Sequence, residues 1–362
     1  MKSAFKYGLF VVVMAIGVYA CSKSSSSGGG DTNPSSNDAF KTTMLTNYAD
    51  NLIIPAYTDF QTKLTALETV VNNFLNTPSS TTLDAVKPVF KDAYLSFERI
   101  SMPFLGPASS LAANSYINTF PAVASKIESG IQSGSYDFTI TVVSDSIQGL
   151  PALDYLLFSS GAVNKFSASD AANRKKYVRD VLARIKSLTQ NISNQWNNGY
   201  RAVFIASLKT DVGSSIGLLV NQFALEMDKM KGPRIGWPFG KQSNGIVFAD
   251  KCEGYYAGFS AALAVENLSS LKNYYTGGSA SGIDDYLVLL KKDQLNKDVL
   301  AQFDIAINSL KAIPDPLSAA FTNNAALVDE AYKQVQKLLT LLKTDVASAT
   351  AVQINYMDND GD

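Results

Sequence analysis

Apolar residues recur every three to five positions along most of this chain. In the first such run they are Leu45, Tyr48, Leu52, Tyr57, Phe60, Leu64, Leu67, Val71 and Phe74. This spacing places the apolar side chains on one face of an α-helix. Similar spacing predicts helices over 82–101, 167–206, 209–230, 245–273, 294–312 and 325–349. Only residues 136–142 alternate as a strand would, and they fit a helix start equally well, so the sequence predicts an all-α fold.

Proline and glycine interrupt this pattern at a few places. Pro55 lies early in the first run and predicts a kink or a break there, because proline lacks the N–H that a helix interior needs. Residues 231–245 are too rich in Gly and Pro for a helix. That stretch also contains Arg234 and Trp237, and loops of this kind often carry function. It is equally well explained as a structural plug between helices.

The first 38 residues have a different composition. Residues 1–20 combine an early basic head with an apolar run that ends just before Cys21, which is typical of a lipoprotein signal peptide. Cys21 is then the expected lipidation site, and residues 21–38, rich in Ser and Gly, form a flexible tether. Ser22 after the cysteine favours the outer membrane. The sequence therefore predicts a lipid-anchored protein of the bacterial cell envelope, with the membrane face left open.

Charge and composition exclude several functions. Removal of residues 1–20 leaves 29 basic and 32 acidic residues without a basic helix, which argues against nucleic-acid binding. The chain has no histidine, so haem would have to rest on Tyr or Met, and we expect none. No nucleophile elbow or phosphate-binding loop is present. Cys252 has no cysteine partner in the mature chain and is interpreted as a small buried apolar residue.

Several separated segments resemble one bacterial family, the imelysin-like proteins. Residues 45–57 resemble the family's first helix, and Phe97-Glu98-Arg99 followed by Gly106-Pro107 resembles the end of its second. Further similar segments are Asn118-Thr119-Phe120-Pro121, Gly149-Leu150-Pro151-Ala152-Leu153-Asp154, Arg234-Ile235-Gly236-Trp237-Pro238-Phe239-Gly240 and Asp358-Asn359-Asp360-Gly361-Asp362. The fourth matches the family's G-x-H-x-x-E motif, with Pro151 in place of the histidine and Asp154 in place of the glutamate.

The resemblance implies a fold and two kinds of function. It implies two pseudo-symmetric helical domains resembling four-helix bundles, here residues 39–200 and 201–362, with the degenerate motif near their junction. Some family members are classed as metallopeptidases, and others are iron-regulated envelope proteins or parts of iron-uptake systems. Envelope iron-uptake proteins are therefore implied as partners.

The residues themselves weaken the peptidase interpretation. Positions i and i+3 share a helix face, so histidine and glutamate there could hold a metal or a water. Pro151 has no ligand atom and is expected as the first residue of a helix, where its missing N–H has no cost. Catalytic zinc needs three protein ligands, and carboxylates with one thiol are a poor set. A carboxylate site for iron or another hard ion stays open, with Asp154 and Glu98 as candidate ligands.

The candidate ligand-binding residues at the junction are Asp154, Glu98, Arg234, Ser101 and Trp237. Ser101 occupies a position where family members often have a second acid. Glu226 and Asp228 are further candidates, with at least one expected in solvent. Structural alternatives are an Asp154–Arg234 ion pair, and a pairing of Glu98 with Arg99 or Lys91.

We therefore expect a non-catalytic envelope protein that binds a metal ion or small ligand and serves iron or nutrient uptake. The alternatives are a peptidase with a carboxylate site, or a surface lipoprotein that only binds partner proteins.

Overall fold

The computed structural model of the chain describes residues 34–140 and 144–356. Within these two ranges the regular elements are all helices or helical turns, so the predicted all-α fold is confirmed. The predicted signal peptide, Cys21 and the acidic ending at 358–362 lie outside the described residues. Among the described residues, no helix is both long enough and apolar enough to cross a membrane.

The first half of the chain begins with long helices and continues with short ones. In order they are α1 (Pro34–Asn47), α2 (Ile54–Asn76), α3 (Ser80–Ser101), α4 (Pro107–Ser110), α5 (Ala113–Asn118), α6 (Ala124–Ser133), α7 (Gly149–Phe158), α8 (Ala162–Lys165), α9 (Ala171–Gln195) and α10 (Arg201–Ala206). A π-helical turn, Tyr48–Ile53, joins α1 to α2, and Pro55 lies in the first turn of α2. Pro55 thus follows a change from π-helical to α-helical turns rather than a gap between two helices, so of the kink or break predicted there, the break is wrong.

The second half of the chain also combines long and short helices. Its helices are α11 (Ser215–Lys229), α12 (Ser260–Tyr275), α13 (Ile283–Leu289), α14 (Asp293–Lys311), α15 (Leu317–Asn323), α16 (Ala325–Thr340) and α17 (Ala347–Ala349). Helices α14 and α16 pack along each other, and α11 contacts α16. These contacts bury the apolar stripes of the helices, which is the main source of helix stability in a folded protein.

Helices α2 and α3 form the main pair of the first half. They are joined by a short turn at 77–79 and pack along much of their length. The start of α3 is fixed by a capping box, in which Ser79 Oγ accepts a hydrogen bond from the Thr82 N–H and Thr82 Oγ1 accepts one from the Ser79 N–H. This arrangement satisfies two amide donors that a helix start would otherwise leave open.

The two halves meet where α12 packs against α3. Polar residues that point from each helix into this contact are therefore buried together. The predicted division at residue 200 into two pseudo-symmetric domains stays a prediction.

Three local predictions were wrong. The helix expected over 245–273 begins only at Ser260, because Gly254 and Gly258 have φ of 61° and 76°, which a right-handed helix does not accommodate. The stretch from 231 does not leave the helix at once: a π-helical turn, Met230–Gly236, continues α11 and includes Pro233. The described residues of the 136–142 segment form neither strand nor helix.

Candidate functional site at the junction of the two halves

Helix α7 carries the degenerate motif and is buried almost throughout. Gly149 begins it with φ of +82°, and a Cβ there would lie 2.4 Å from the carbonyl oxygen of Ile117, so only glycine fits. Pro151 lies in the first turn of α7 but is its third residue, not the first as predicted. Because the rest of this short helix is mostly Leu and other apolar residues, it packs in the interior and takes Asp154 with it.

Asp154 binds the backbone of the loop that precedes α12. Its side chain is 2% exposed, Oδ2 accepts a hydrogen bond from the N–H of Tyr256 at 2.9 Å, and Oδ1 accepts one from Ala257 at 2.7 Å. Burial raises the pKa of Asp154 to about 7, although these two bonds oppose the shift. The Asp154–Arg234 ion pair considered above is wrong, because Arg234 has other partners.

Arg234 is buried between two glutamates. Its Nη2 lies 2.8 Å from Glu98 Oε2, and its Nη1 donates to Glu253 Oε2. Burial alone would lower the pKa of Arg234, but the carboxylates of Glu253 and Glu98 raise it above its ordinary value. The guanidinium also lies over the ring of Phe120, 5.9 Å from its centre.

Two neutral side chains, Asn118 and Tyr94, extend this ion cluster by hydrogen bonds into the first half of the protein. Asn118 Nδ2 donates to Glu253 Oε1 at 2.5 Å, and the hydroxyl of Tyr94 donates to Asn118 Oδ1 at 2.6 Å. Tyr94 and Glu98 are four residues apart and therefore share one face of α3. The buried apolar face of α3 thus carries the Glu98 carboxylate inward.

Asn267 on α12 joins the helices around the cluster. Its Nδ2 lies 3.0 Å from Glu98 Oε2, 2.7 Å from Ser101 Oγ and 3.3 Å from Glu226 Oε2. Lys229 in turn donates to Glu226 at 2.7 Å. Three helices, α3, α11 and α12, are therefore held by one amide.

The expected pairing of Glu98 with Arg99 or Lys91 is also wrong. Arg99 instead donates to Glu266 at 2.6 Å and to Asp59 at 3.4 Å, on the outer side of the α3–α12 contact. Neighbouring residues of a helix point in different directions, so Arg99 cannot follow Glu98 into the interior.

Glu98 is the acid of the cluster whose surroundings favour its protonated form. Burial, followed by the nearby Glu253 carboxylate, raises the pKa of Glu98 well above its ordinary value, while Arg234 opposes the shift. Its Oε1 is buried without a hydrogen-bond partner.

A cleft of about 280 Å³ opens above Asp154. Its walls come from the 120–125 segment, the start of α7 and the loop before α12. The lining residues are Phe120, Pro121, Ala122, Val123, Ala124, Ser125, Pro151, Asp154, Asp250, Lys251, Cys252, Gly254, Tyr255 and Tyr256. The motif residues Pro151 and Asp154 therefore face a space that a small molecule can enter.

The donor set does not fit a metal ion. Pro151 offers no ligand atom, both oxygens of Asp154 accept backbone N–H groups, and Glu98 Oε2 is held by Arg234 and Asn267. Within residues 34–140 and 144–356, no group of three or more Asp, Glu, Cys or His side chains is arranged to hold a metal. The metal prediction for Asp154 and Glu98 gains no support from this geometry.

The structure separates the predicted site residues into two groups. Glu98, Ser101 and Arg234 meet in the buried cluster, and Asp154 lies beside it under the cleft. Trp237 is elsewhere: it is 37% exposed and stacks on Phe248 with ring centres 5.5 Å apart.

The two further candidate acids, Glu226 and Asp228, lie in different places. Glu226 joins the buried cluster, while Asp228 bonds to Lys343 and Tyr356 away from it. Neither carboxylate is fully in solvent, so the expectation of one solvated acid was wrong. Cys252 is 3% exposed, which confirms its burial, and burial raises the pKa of its thiol to about 12.

Sequence reasoning missed three members of the cluster: Asn118, Glu253 and Asn267. Asn118 belongs to a segment that was noticed for its family resemblance but not for its side chain. Asn267 could have been found as a polar residue on the apolar face of a predicted helix. Glu253 gave no signal, because it lies in an irregular loop that was predicted to be helical.

The fold and the site together define an all-helical protein with a buried ion cluster and an adjacent cleft between its halves. The family model described as Imelysin, of the peptidase M75 group, matches residues 53–343, and the chain therefore belongs to the imelysin family. Iron-regulated protein A of Synechococcus elongatus is 21% identical over 285 residues, which cover 75% of this chain and 76% of that protein.

Two solved structures share the fold. An iron-regulated protein A precursor from Parabacteroides distasonis superposes with a TM-score of 0.73 at 19% identity, covering 86% of this chain and 95% of that one. An imelysin-like protein from Psychrobacter arcticum gives a TM-score of 0.70 at 19% identity, covering 88% and 98%. At this identity, the likeness is one of fold alone.

Proposed function

We propose that this protein is a lipid-anchored, non-hydrolytic binding protein of the cell envelope. It binds a small organic molecule in the cleft above Asp154 and serves the uptake of iron or another nutrient. The observation that carries the proposal is the cleft itself, which is open where Pro151 and Asp154 occupy the family's motif positions. A concave site with a few fixed polar groups is the usual form of a small-molecule site.

The chemistry at the cleft favours binding over hydrolysis. A general base must reach the proton it removes, and a metal-bound water needs ligands. Asp154 uses both oxygens to hold the Tyr256 and Ala257 N–H groups, and Pro151 contributes neither a ligand nor a proton acceptor. The nearby Cys252 thiol has its pKa raised to about 12, so it is a poor nucleophile.

The link to nutrient uptake is supported by the relatives. Two of them are named as iron-regulated proteins, one from a cyanobacterium and one with a solved structure. An envelope protein made under iron control is well placed to bind a compound that is taken up with iron, rather than the bare ion.

The binding proposal is tested by closing the cleft. Ala122→Trp places a large ring in the cleft wall, and Ala202→Trp adds the same ring at an exposed position on α10 as the control. Full-length protein of each kind is dialysed against a low-molecular-mass extract of the producing cells, and retained compounds are identified by mass spectrometry. Fe²⁺, Fe³⁺, Zn²⁺ and Ca²⁺ are titrated in parallel by calorimetry.

A compound retained by the parent chain and by Ala202→Trp, but not by Ala122→Trp, is the expected result. Equal retention by all three, or saturable binding of one of the metal ions with no organic ligand, would contradict the proposal. Unchanged melting temperatures in the two tryptophan variants show that the comparison concerns the cleft and not folding.

The anchor is tested separately. Cells fed with radiolabelled palmitate should label the parent chain and not Cys21→Ala, with Cys252→Ala as the matched control, which should still be labelled. Fractionation should place the label in the outer membrane. Label retained by Cys21→Ala would remove the lipid anchor from the proposal.

A further inference from the structure

A second cleft lies next to the first, along the same helix. It measures about 310 Å³ and is lined by Leu83, Asp84, Lys87, Leu157, Phe158, Ser159, Gly161, Ala162, Val163, Asn164 and Tyr256. Tyr256 lines both clefts. The first cleft lies over Pro151 at the start of α7 and the second over Phe158 at its end, about 10 Å apart at 1.5 Å per residue.

The two clefts are also connected electrostatically. Lys87 lines the second cleft, and its charge lowers the pKa of Asp154 in the first. Because Tyr256 lines both clefts, they adjoin each other along α7 and are described below as one groove with Tyr256 between its two parts.

The Tyr256 ring is held in place. Asp154 binds its backbone N–H, and its ring packs edge-on against Tyr155 at 5.3 Å and against Tyr255 at 5.0 Å between centres. The side chain of Tyr256 nevertheless stays partly exposed. A fixed and partly exposed aromatic ring between two clefts of mixed polar and apolar lining can serve as a stacking platform, because its face carries partial negative charge that attracts C–H groups.

The solvent-accessible charges around the groove are balanced. Asp250 and Lys251 pair at 3.0 Å in the first cleft, and Asp84 and Lys87 stand three residues apart on α3 in the second. Asp154, the other acid of the first cleft, is buried, and both its oxygens accept backbone N–H groups. Such lining favours neither an anion nor a cation. It presents both acceptors and donors, as a neutral ligand rich in hydroxyl groups requires.

We infer that the groove on both sides of Tyr256 binds a short neutral oligosaccharide, with one sugar unit in each cleft and a ring stacked on Tyr256. A peptide fits less well, because peptide recognition draws on free backbone donors, and Asp154 already occupies the N–H groups of Tyr256 and Ala257. This inference rests on the proposed function and names the class of its ligand.

The test uses full-length protein and defined probes. Maltotriose, cellotriose and chitotriose are titrated at millimolar concentration by calorimetry, with trialanine as the peptide probe. Tyr256→Ala removes the platform, and Tyr332→Ala removes a similarly half-exposed tyrosine on α16, away from both clefts. We expect one trisaccharide to bind with an affinity that falls about tenfold or more in Tyr256→Ala and stays unchanged in Tyr332→Ala.

The outcomes separate this inference from the proposed function. Binding of trialanine but of no saccharide, or saccharide binding unaffected by Tyr256→Ala, overturns the saccharide assignment. Absence of saccharide binding also overturns it, while a compound from cell extract excluded by Ala122→Trp would leave the proposed function standing. If that extract experiment fails as well, both are refuted.

Discussion

Replacing each of the two glutamates that hold Arg234 by glutamine should change stability by very different amounts. Glu98 has a raised pKa, which favours its protonated form; its Oε1 is buried without a hydrogen-bond partner, and it accepts hydrogen bonds only through Oε2. Glutamine at position 98 can place its carbonyl oxygen where Oε2 lies and its amide where Oε1 lies. Glu253 accepts through both oxygens, from Asn118 and from Arg234.

The magnitudes follow from these contacts. We expect Glu98→Gln to change the free energy of unfolding by less than about 1 kcal/mol, because the neutral amide has nearly the shape of the protonated acid and keeps an oxygen that accepts from Arg234 and Asn267. Glu253→Gln places an amide NH₂ group opposite the N–H donors of Asn118 or Arg234. It also leaves the buried guanidinium of Arg234 without one of its two carboxylate partners. Breaking a buried pair in this way costs about 3–5 kcal/mol.

The pH dependence gives a second measurement. Because the folded pKa of Glu98 is raised, the folded chain keeps a proton that the unfolded chain releases above its ordinary pKa of about 4.3. Stability therefore falls as pH rises from there to the folded pKa. Glu98→Gln should remove this part of the slope. Arg234 and Glu253 act on Glu98 directly. Tyr94 feels the charge of Glu98, and Glu226 with its partner Lys229 lies in the same cluster.

Urea unfolding followed by circular dichroism at several pH values provides the assay. Equal destabilisation by Glu98→Gln and Glu253→Gln at neutral pH would refute the protonation of Glu98 in the folded chain. So would a Glu98→Gln variant with the same pH slope as the parent chain.

Two further predictions concern α7. Asp154→Asn should lower stability by about 3 kcal/mol in acid, because an amide NH₂ then faces one of the two buried N–H donors. Because the folded pKa of Asp154 is about 7, the free energy of unfolding of the parent chain falls by up to about 4 kcal/mol as pH rises from 4 to 7. The stability difference between the parent chain and Asp154→Asn should therefore shrink as pH rises. A difference that stays constant with pH would contradict the raised pKa. Gly149→Ala should destabilise by about 3 kcal/mol or more, since its Cβ would meet the Ile117 carbonyl. The control Gly161→Ala has φ of 72° but open space around it, and should cost only about 1 kcal/mol; similar losses in thermal unfolding would count against the close approach at Gly149.

Helix periodicity and proline placement were readable from the sequence, because both act locally. The apolar spacing over 44–75 predicted a buried face, and the position of Pro151 at a helix start was predicted from its missing N–H. The family resemblance placed Asp154, Glu98 and Arg234 near one another. The loop before α12 was predicted incorrectly, because its apolar residues have helical spacing while its glycines require left-handed backbone.

The sequence alone determined the all-helical fold and its family, because a repeating apolar face and an ordered set of short motifs can be recognised without knowing the three-dimensional contacts. It also excluded any function that depends on histidine. Only the tertiary structure decided which charges pair. Glu98 and Arg234 are 136 positions apart along the chain, and Asn267 reaches Glu98 only because α12 packs on α3. Partners of buried charges are chosen by desolvation, which penalises every unpaired group in the contact, and that contact exists only once the two halves have packed together.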